Sequence, residues 1–197
     1  MDLKGKRIGF GLTGSHCTYE QIFPQIQKLV DMGADVVPVV SYTVQDTDTK
    51  FGKAKDHLER IRSITGKELI CTMPEAEPLG PQAPLDCMLL APLTGNSMSK
   101  FANALTNTPP LMAAKATLRN GSPVVLAIST NDALGLNAMN LGKLLSAKNV
   151  YFVPYGQDHP YKKPDSLVAH MDLIPETIEY ALDGKQIQPL MREYDDV

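Results

Sequence analysis

With 197 residues and 43% hydrophobic content, the chain is long enough for one buried core and short for two, so a single domain over 1–197 is expected. A net charge of −3, with Lys162 and Lys163 as the longest basic cluster, argues against a nucleic-acid surface, and no apolar run reaches transmembrane length. Three cysteines, Cys17, Cys71 and Cys87, make an odd set without CxxC spacing, which argues against a disulfide framework and a zinc site; no metal is expected, and a reducing cytoplasm fits.

Met1 to Arg7 lead directly into a strand-like run without the apolar segment of a signal peptide. Strands are expected at Arg7 to Leu12, Asp35 to Val40, Asp86 to Ala91, Val124 to Ile128 and Val150 to Pro154. Between them, helical periodicity runs over Tyr19 to Met32, Lys53 to Ile64, Ser99 to Thr106, Pro110 to Arg119 and Asn137 to Ser146. In the first of these, Ile22, Ile26, Leu29 and Val30 form one apolar stripe and Gly33 stops the helix. Glu68 to Met73 reads as a short extra strand or edge, and the proline-rich PEAEPLGPQAPLD after it as a loop. Met171 to Asp183 predicts a terminal helix ending at Gly184, and the tail beyond Pro189 is expected to be loose. Near-continuous apolar strands alternating with amphipathic helices predict a three-layer, doubly wound α/β fold with a mostly parallel, Rossmann-like sheet.

In such a sheet ligands bind beyond the carboxyl ends of the strands, where the chain order reverses. The turns there are GLTGSHC, SYT, PLTGNS and STNDALG, all rich in Gly, Ser, Thr and Asn. Thr94, Gly95, Asn96 and Ser97 precede helix-compatible residues Met98 to Leu105; the turn is either an ordinary cap or a ring of backbone N–H groups offered to an anion. Gly9, Gly11 and Gly14 give a loose G-x-G-x-x-G, but Gly9 and Gly11 fall within the strand, so a dinucleotide fingerprint is discounted. Ser15, with Ser41 and Thr43, suits a single phosphate, and Ser41 stands where a nicotinamide dinucleotide site would want an acid. There is no GxxxxGK[ST], so a P-loop is excluded. Cys87 reads as core; Cys17, after the glycine turn, has no identifiable base to make it a nucleophile. His16 in the first turn either approaches an anion or is solvated, and His57 is expected on an exposed helix surface. The stretch 155–170, inside VPYGQDHPYKKPDSLVAH, reads either as a lid whose Lys162 and Lys163 attract an anionic substrate or as a solvated loop.

The segments GLTGS (11–15), VVSYT (39–43) and APLTGNSMSKFANALTNTP (91–109) resemble the flavoprotein superfamily that includes flavin-containing cysteine decarboxylases and flavin prenyltransferases. The stretches SKFANALTNTPPLMAAKATLRN and STNDALGLNAMNLG are similar to a narrower branch, the flavoprotein-like component of a two-component enzyme. The resemblance implies FMN as cofactor. It places Thr13, Gly14 and Ser15 on the flavin phosphate with Ser41 and Thr43 beside them, Pro92, Thr94, Asn96 and Ser97 toward the ribityl chain or ring, and Ser129, Thr130 and Asn131 where relatives grip flavin or substrate. It implies a homo-oligomer, a trimer or a multiple of trimers with flavin between protomers, in the cytoplasm, and in that branch in the mother cell of a sporulating bacterium. The implied activity is oxidation of a reduced, ring-closed precursor to an aromatic pyridine dicarboxylate, as an oxidoreductase component with a dehydrogenase-like partner and a small dicarboxylate substrate. No residue reads as a general base, so the catalytic residues stay unassigned and the partner is expected to hold them. Alternatives are a flavin-dependent decarboxylase or transferase on a small carboxylate, and a non-catalytic scaffold that keeps the flavin pocket. The decarboxylase pattern is broken twice: EPLGPQAPLD lacks a His before the third strand, and ISTNDALG replaces a PxMN-like clamp. Only EYDDV stands for the acidic tail a regulatory scaffold would carry.

Overall fold

The computed structural model describes residues 2–194. Four parallel strands form its centre: β1 (Arg7–Leu12), β2 (Asp35–Val40), β3 (Cys87–Leu93) and β4 (Val124–Thr130), in the order β2-β1-β3-β4. β5 (Val150–Phe152) continues the parallel sheet beside the first half of β4, while β7 (Leu167–Ala169) lies antiparallel against its last two residues, with β6 (Tyr155–Gly156) outside it. That antiparallel pairing explains why β4 runs to Thr130, two residues past the expected end.

The central strands are buried on both faces: every residue of β3 is buried, as is all of β1 and β2 after the first residue. α1 (Tyr19–Asp31) turns Ile22, Phe23, Ile26 and Leu29 onto the sheet and packs against α3 (Ala54–Thr65) and α8 (Ile174–Leu182). α6 (Pro109–Arg119) crosses β1 to β4 and is backed by the short α4 (Met73–Ala76). Gly9 and Gly11 make this approach possible. A Cβ on Gly11 would sit 2.6 Å from Met88 Cε, 2.8 Å from Leu90 Cδ2 and 3.0 Å from Pro110 Cβ; one on Gly9 would sit 2.5 Å from Leu85 Cδ1 and from Met88 Sδ. These are strand glycines that seat neighbouring side chains and helix α6, which is why they form no phosphate loop.

Several expected boundaries shift for local reasons. The loop expected after Met73 begins with α4, because Thr72 and Glu75 close a reciprocal capping box, and a further helical turn follows at Glu77–Leu79. The extra strand expected at Glu68 to Met73 shrinks to one residue, Ile70, whose N–H and carbonyl bond Pro38 and Val40 of β2. α5 (Gly95–Ala102) starts four residues before the expected Ser99, since Thr94 takes extended backbone and its Oγ1 accepts from Ser97 N. It ends at Ala102, before Ala104 takes a left-handed φ of 58°. α7 (Ala138–Leu145) and the short α2 (Tyr42–Asp46) complete the helices.

Two expectations are overturned. His57 is 6% exposed rather than on the surface, its ring lying 5.0 Å from Tyr19 and 5.9 Å from Phe23 between centroids. It fits because Gly52 passes over it with φ 138°; a Cβ there would fall 2.7 Å from the ring. The segment after Pro189 is docked, not loose: Arg192 N donates to Tyr155 O at 3.0 Å and Tyr194 Oη donates to the carbonyls of Val168 and Ala169 at 3.1 Å. Residues 195–197, the end of EYDDV, lie outside the described residues. Among the described residues no helix is long and apolar enough to cross a membrane.

Candidate functional site

The order β2-β1-β3-β4 puts the chain reversal between β1 and β3, and all four polar turns leave the same carboxyl edge of the parallel strands. Hydrogen bonds join the turns. Thr13, 1% exposed, donates its Oγ1 to Pro92 O at 2.6 Å and accepts from Thr94 N at 3.1 Å, which locks the first turn to the third. Tyr19 Oη donates to Thr13 O at 2.8 Å from α1. Ser15 Oγ donates to Ser129 O at 2.7 Å, which locks the first turn to the fourth. Thr13 and Ser15 therefore use their hydroxyl protons to hold the rim together, and what this turn offers outward is backbone. Ser15 has φ 55° and ψ 47°, a left-handed conformation that tips the following peptide into a tight turn, and Thr18 N returns to Ser15 O at 3.0 Å.

Gly14 lies under the second and third turns: a Cβ there would sit 3.2 Å from Thr94 Cγ2 and 3.9 Å from Thr43 Cγ2. Ser41 follows β2 and caps α2 at 5% exposure, and its Oγ is buried without a hydrogen-bond partner. Thr43, on α2, is exposed. At the third turn Thr94 Oγ1 donates to Ser97 Oγ at 3.0 Å, while the first-turn N–H groups of α5 at Gly95 and Asn96 have no intrahelical acceptor. Pro92 and Ser97 are buried and Asn96 is exposed. The fourth turn presents buried Ser129, half-buried Thr130 and exposed Asn131.

A polar chain that the sequence reading did not single out braces this side. Thr130 Oγ1 donates to Asp132 Oδ1, Asn137 Nδ2 to Asp132 Oδ2 at 2.8 Å, Asn140 Nδ2 to Asn137 Oδ1 at 2.9 Å, Asn103 Nδ2 to Asn140 Oδ1 at 2.9 Å, and Lys143 Nζ to Asn103 Oδ1 at 2.7 Å. The i, i+3 spacing of Asn137 and Asn140 at the start of α7 was the available signal. Gly95 is where α5 meets this chain. A Cβ at 95 would fall 2.5 Å from Asp132 Oδ1, 2.6 Å from Thr130 Oγ1 and 2.9 Å from Asn137 Nδ2.

His16 reaches the rim, but its ring turns inward, 4.8 Å from Tyr19 and 6.0 Å from His57 between centroids, and its Nε2 is buried without a partner. Burial first and the neighbouring His57 second hold His16 below the usual imidazole value. Burial does the same to His57, against the nearby charges of Asp56 and Glu20. Lys162 and Lys163 stand on the stretch 157–166 between β6 and β7, which meets the fourth turn where Leu134 N donates to Asp165 O at 3.0 Å; Lys163 pairs with Asp158 at 3.1 Å. The ends of the expected lid are thus strands of the sheet. Cys17 is exposed and Cys87 is buried.

Comparison with known proteins places these features in a context. The flavoprotein family model matches residues 1–180. The chain is 63% identical over 191 residues, 97% of its length and 96% of the relative's, to the B-type subunit of dipicolinate synthase from Bacillus subtilis (strain 168). It superposes on the crystal structure of the B-type dipicolinate synthase subunit from Bacillus halodurans C with a TM-score of 0.91 and 58% identity, covering 98% of this chain and 99% of that one. A dodecameric FMN-dependent UbiX-like decarboxylase from Escherichia coli O157:H7 shares the fold, with a TM-score of 0.61 and 19% identity over 75% of this chain and 79% of its own.

Proposed function

The chain belongs to the flavoprotein family, and on that premise we propose that it is the FMN-binding component of a dipicolinate synthase, acting in the cytoplasm of the sporulating mother cell. Its proposed role is to assist, with a dehydrogenase-like partner component of the same synthase, the oxidation of a dihydrodipicolinate-type precursor to pyridine-2,6-dicarboxylate. The observation that carries the reading is the 63% identity sustained over 97% of the chain.

The rim fits the cofactor. Ser41 has a buried hydroxyl with no acceptor, a costly arrangement unless a ligand oxygen completes it. The backbone of Gly14, Ser15 and His16, the Ser41 hydroxyl and Thr43 beside Gly14 would hold the phosphate. The first turn of α5, with Asn96, and the strand end Ser129 to Asn131 would face the ribityl chain and ring, with Pro92, Thr94 and Ser97 shaping the wall. When bound, FMN supplies a two-electron acceptor for aromatisation of the substrate ring. The protein's part is orientation and exclusion of water: Thr13 and Ser15 fix the turns to one another, and the Asp132 to Lys143 chain keeps α5 and α7 in register with β4. Among the described rim residues His16 turns its ring inward and Asp132 is held by Thr130 and Asn137, so the proton from the substrate is assigned to the dehydrogenase-like partner. The same reading makes the protein a homo-oligomer, a trimer or multiple of trimers, in which a second copy covers the flavin.

The test is reconstitution. Purified chain, FMN and the dehydrogenase-like partner are mixed with the dihydro precursor, and pyridine dicarboxylate is followed by its ultraviolet absorbance. Product formed only when both components are present supports the reading. Full activity of the dehydrogenase-like partner on its own, unchanged on adding this chain, would overturn it.

A further inference from the structure

Two imidazoles lie behind the first turn of the rim. His16 gives its backbone to that turn and sends its ring inward, 4.8 Å from Tyr19 and 6.0 Å from His57 between centroids. His57, on α3, is 6% exposed, with Phe23 stacked at 5.9 Å, Tyr19 edge-on at 5.0 Å and Gly52 passing over it. Each ring has its Nε2 buried without a hydrogen-bond partner. A hydrocarbon side chain would fill either space without leaving a nitrogen unpaired, so packing alone does not account for two adjacent imidazoles.

The charges around the pair are engaged elsewhere. Glu20 on α1 is paired with Arg60 on α3 at 2.8 Å, and the Arg60 guanidinium lies over the Phe23 ring at 4.2 Å. Asp56 is exposed to water. Burial opposes a charge on both rings; Asp56 and Glu20 favour one on His57 and Arg60 opposes it, whereas His16 is acted on by His57. Both rings are therefore neutral near pH 7 in the flavin-free chain, and a proton on one discourages a proton on the other. An anion held by the first turn would act on His16 first, because the N–H of that same residue belongs to the turn.

We infer that His16 is a proton-accepting residue of the FMN site: as the phosphate dianion settles on the backbone of Gly14, Ser15 and His16, the His16 imidazole takes one proton from solvent while His57 stays neutral beside it. The identity of the anion as a flavin phosphate rests on the function proposed above; the pair of unpartnered imidazoles behind the turn does not. An imidazolium formed only when the phosphate is present favours FMN over riboflavin. It also makes capture of the cofactor tighten as pH falls, because a group whose proton affinity rises on binding draws protons in with the ligand. Each pKa unit of that rise is a factor of up to about ten in affinity.

The test is calorimetric titration of the full-length chain with FMN, riboflavin and inorganic phosphate in buffers of unequal ionisation heat, at pH 8.5 and 6.5, where a phosphate monoester is still mostly the dianion. FMN should bind severalfold more tightly at pH 6.5 with a net uptake of protons, at most about one per flavin, and riboflavin should bind without uptake. His16→Gln should abolish the uptake and flatten the pH dependence. Nitrogen-15 spectra of the histidine rings in the parent chain, assigned through the backbone, should show His16 becoming charged and His57 remaining neutral on adding FMN. FMN bound without proton uptake, a His16 ring that stays neutral in the loaded chain, or an uptake that survives His16→Gln would overturn the inference and leave the flavin site standing. If FMN does not bind but inorganic phosphate charges His16, the flavin reading falls and the proton-linked anion site stands. Failure of both ligands to alter the ring overturns the inference as well.

Discussion

Replacing Gly95 by Ala tests whether the rim is held by the polar chain behind it. Three polar atoms, Asp132 Oδ1, Thr130 Oγ1 and Asn137 Nδ2, lie inside 3.0 Å of the added methyl, and all three belong to hydrogen bonds on the Asp132 carboxylate. Either α5 shifts outward, straining the Thr94 cap, or Asp132 swings away and gives up its bonds to Thr130 and Asn137. Overpacking of this kind costs about 1–3 kcal/mol, while the intrinsic helix preference of Ala over Gly returns at most about 1 kcal/mol. A net loss of about 1–2 kcal/mol follows, or roughly 2–8 °C in melting temperature for a domain of this size. The measurement is urea unfolding followed by circular dichroism, on Gly95→Ala, Asp132→Ala and the double variant. Because Asp132→Ala removes the nearest of the atoms that the methyl strikes and frees Thr130 and Asn137 from the carboxylate, the double variant should lose less than the sum of the two singles. Strict additivity, or a Gly95→Ala protein as stable as the parent, would refute the reasoning.

Gly11→Ala should cost about 1–3 kcal/mol in the same assay, since Leu90 and Pro110 cannot both move without displacing α6; a neutral result would mean that the sheet-to-helix spacing is not set by the strand glycines. Tyr194→Phe removes the hydroxyl bonded to Val168 O and Ala169 O, and amide exchange at 191–194 should quicken, by roughly 1 kcal/mol of local protection, with global stability little changed. His16 and His57 have folded-state values below the free imidazole, so the unfolded chain binds more protons as pH falls. The stability they hold is complete above about 6.5 and declines as pH drops from there toward their folded values. His57→Leu should flatten the fall in unfolding free energy between pH 7.5 and 5.5, and an unchanged slope would contradict the buried, neutral assignment.

The parallel core was legible because strands buried on both faces read as unbroken apolar runs: β1 and β2 begin and end where the sequence predicts. Less legible was whatever depends on partners remote in sequence. His57 looked exposed because its helix carries Lys55 and Arg60 nearby, and nothing local says that Gly52 folds over the ring. The C-terminal segment looked loose because Tyr194 finds its acceptors in β7 rather than in its neighbours. At the rim, sequence assigned Thr13 and Ser15 to the phosphate by residue type. Their hydroxyls bond carbonyls that lie 79 and 114 residues away, so a side chain expected to face a ligand instead holds the turns together. Ser41, assigned to the phosphate on the same basis, differs from them in the structure: its hydroxyl is buried without a partner.

That orphan hydroxyl gives the most direct test of the proposed flavin site at the rim, by titrating FMN into the purified chain and following its visible absorbance. Saturation at one FMN per chain is predicted. Ser41→Ala should leave unfolding of the flavin-free protein unchanged or slightly more stable, because an unsatisfied buried group is removed, yet weaken FMN binding about tenfold. A chain that takes up no FMN, or a Ser41→Ala variant that binds it as well as the parent, would contradict the account.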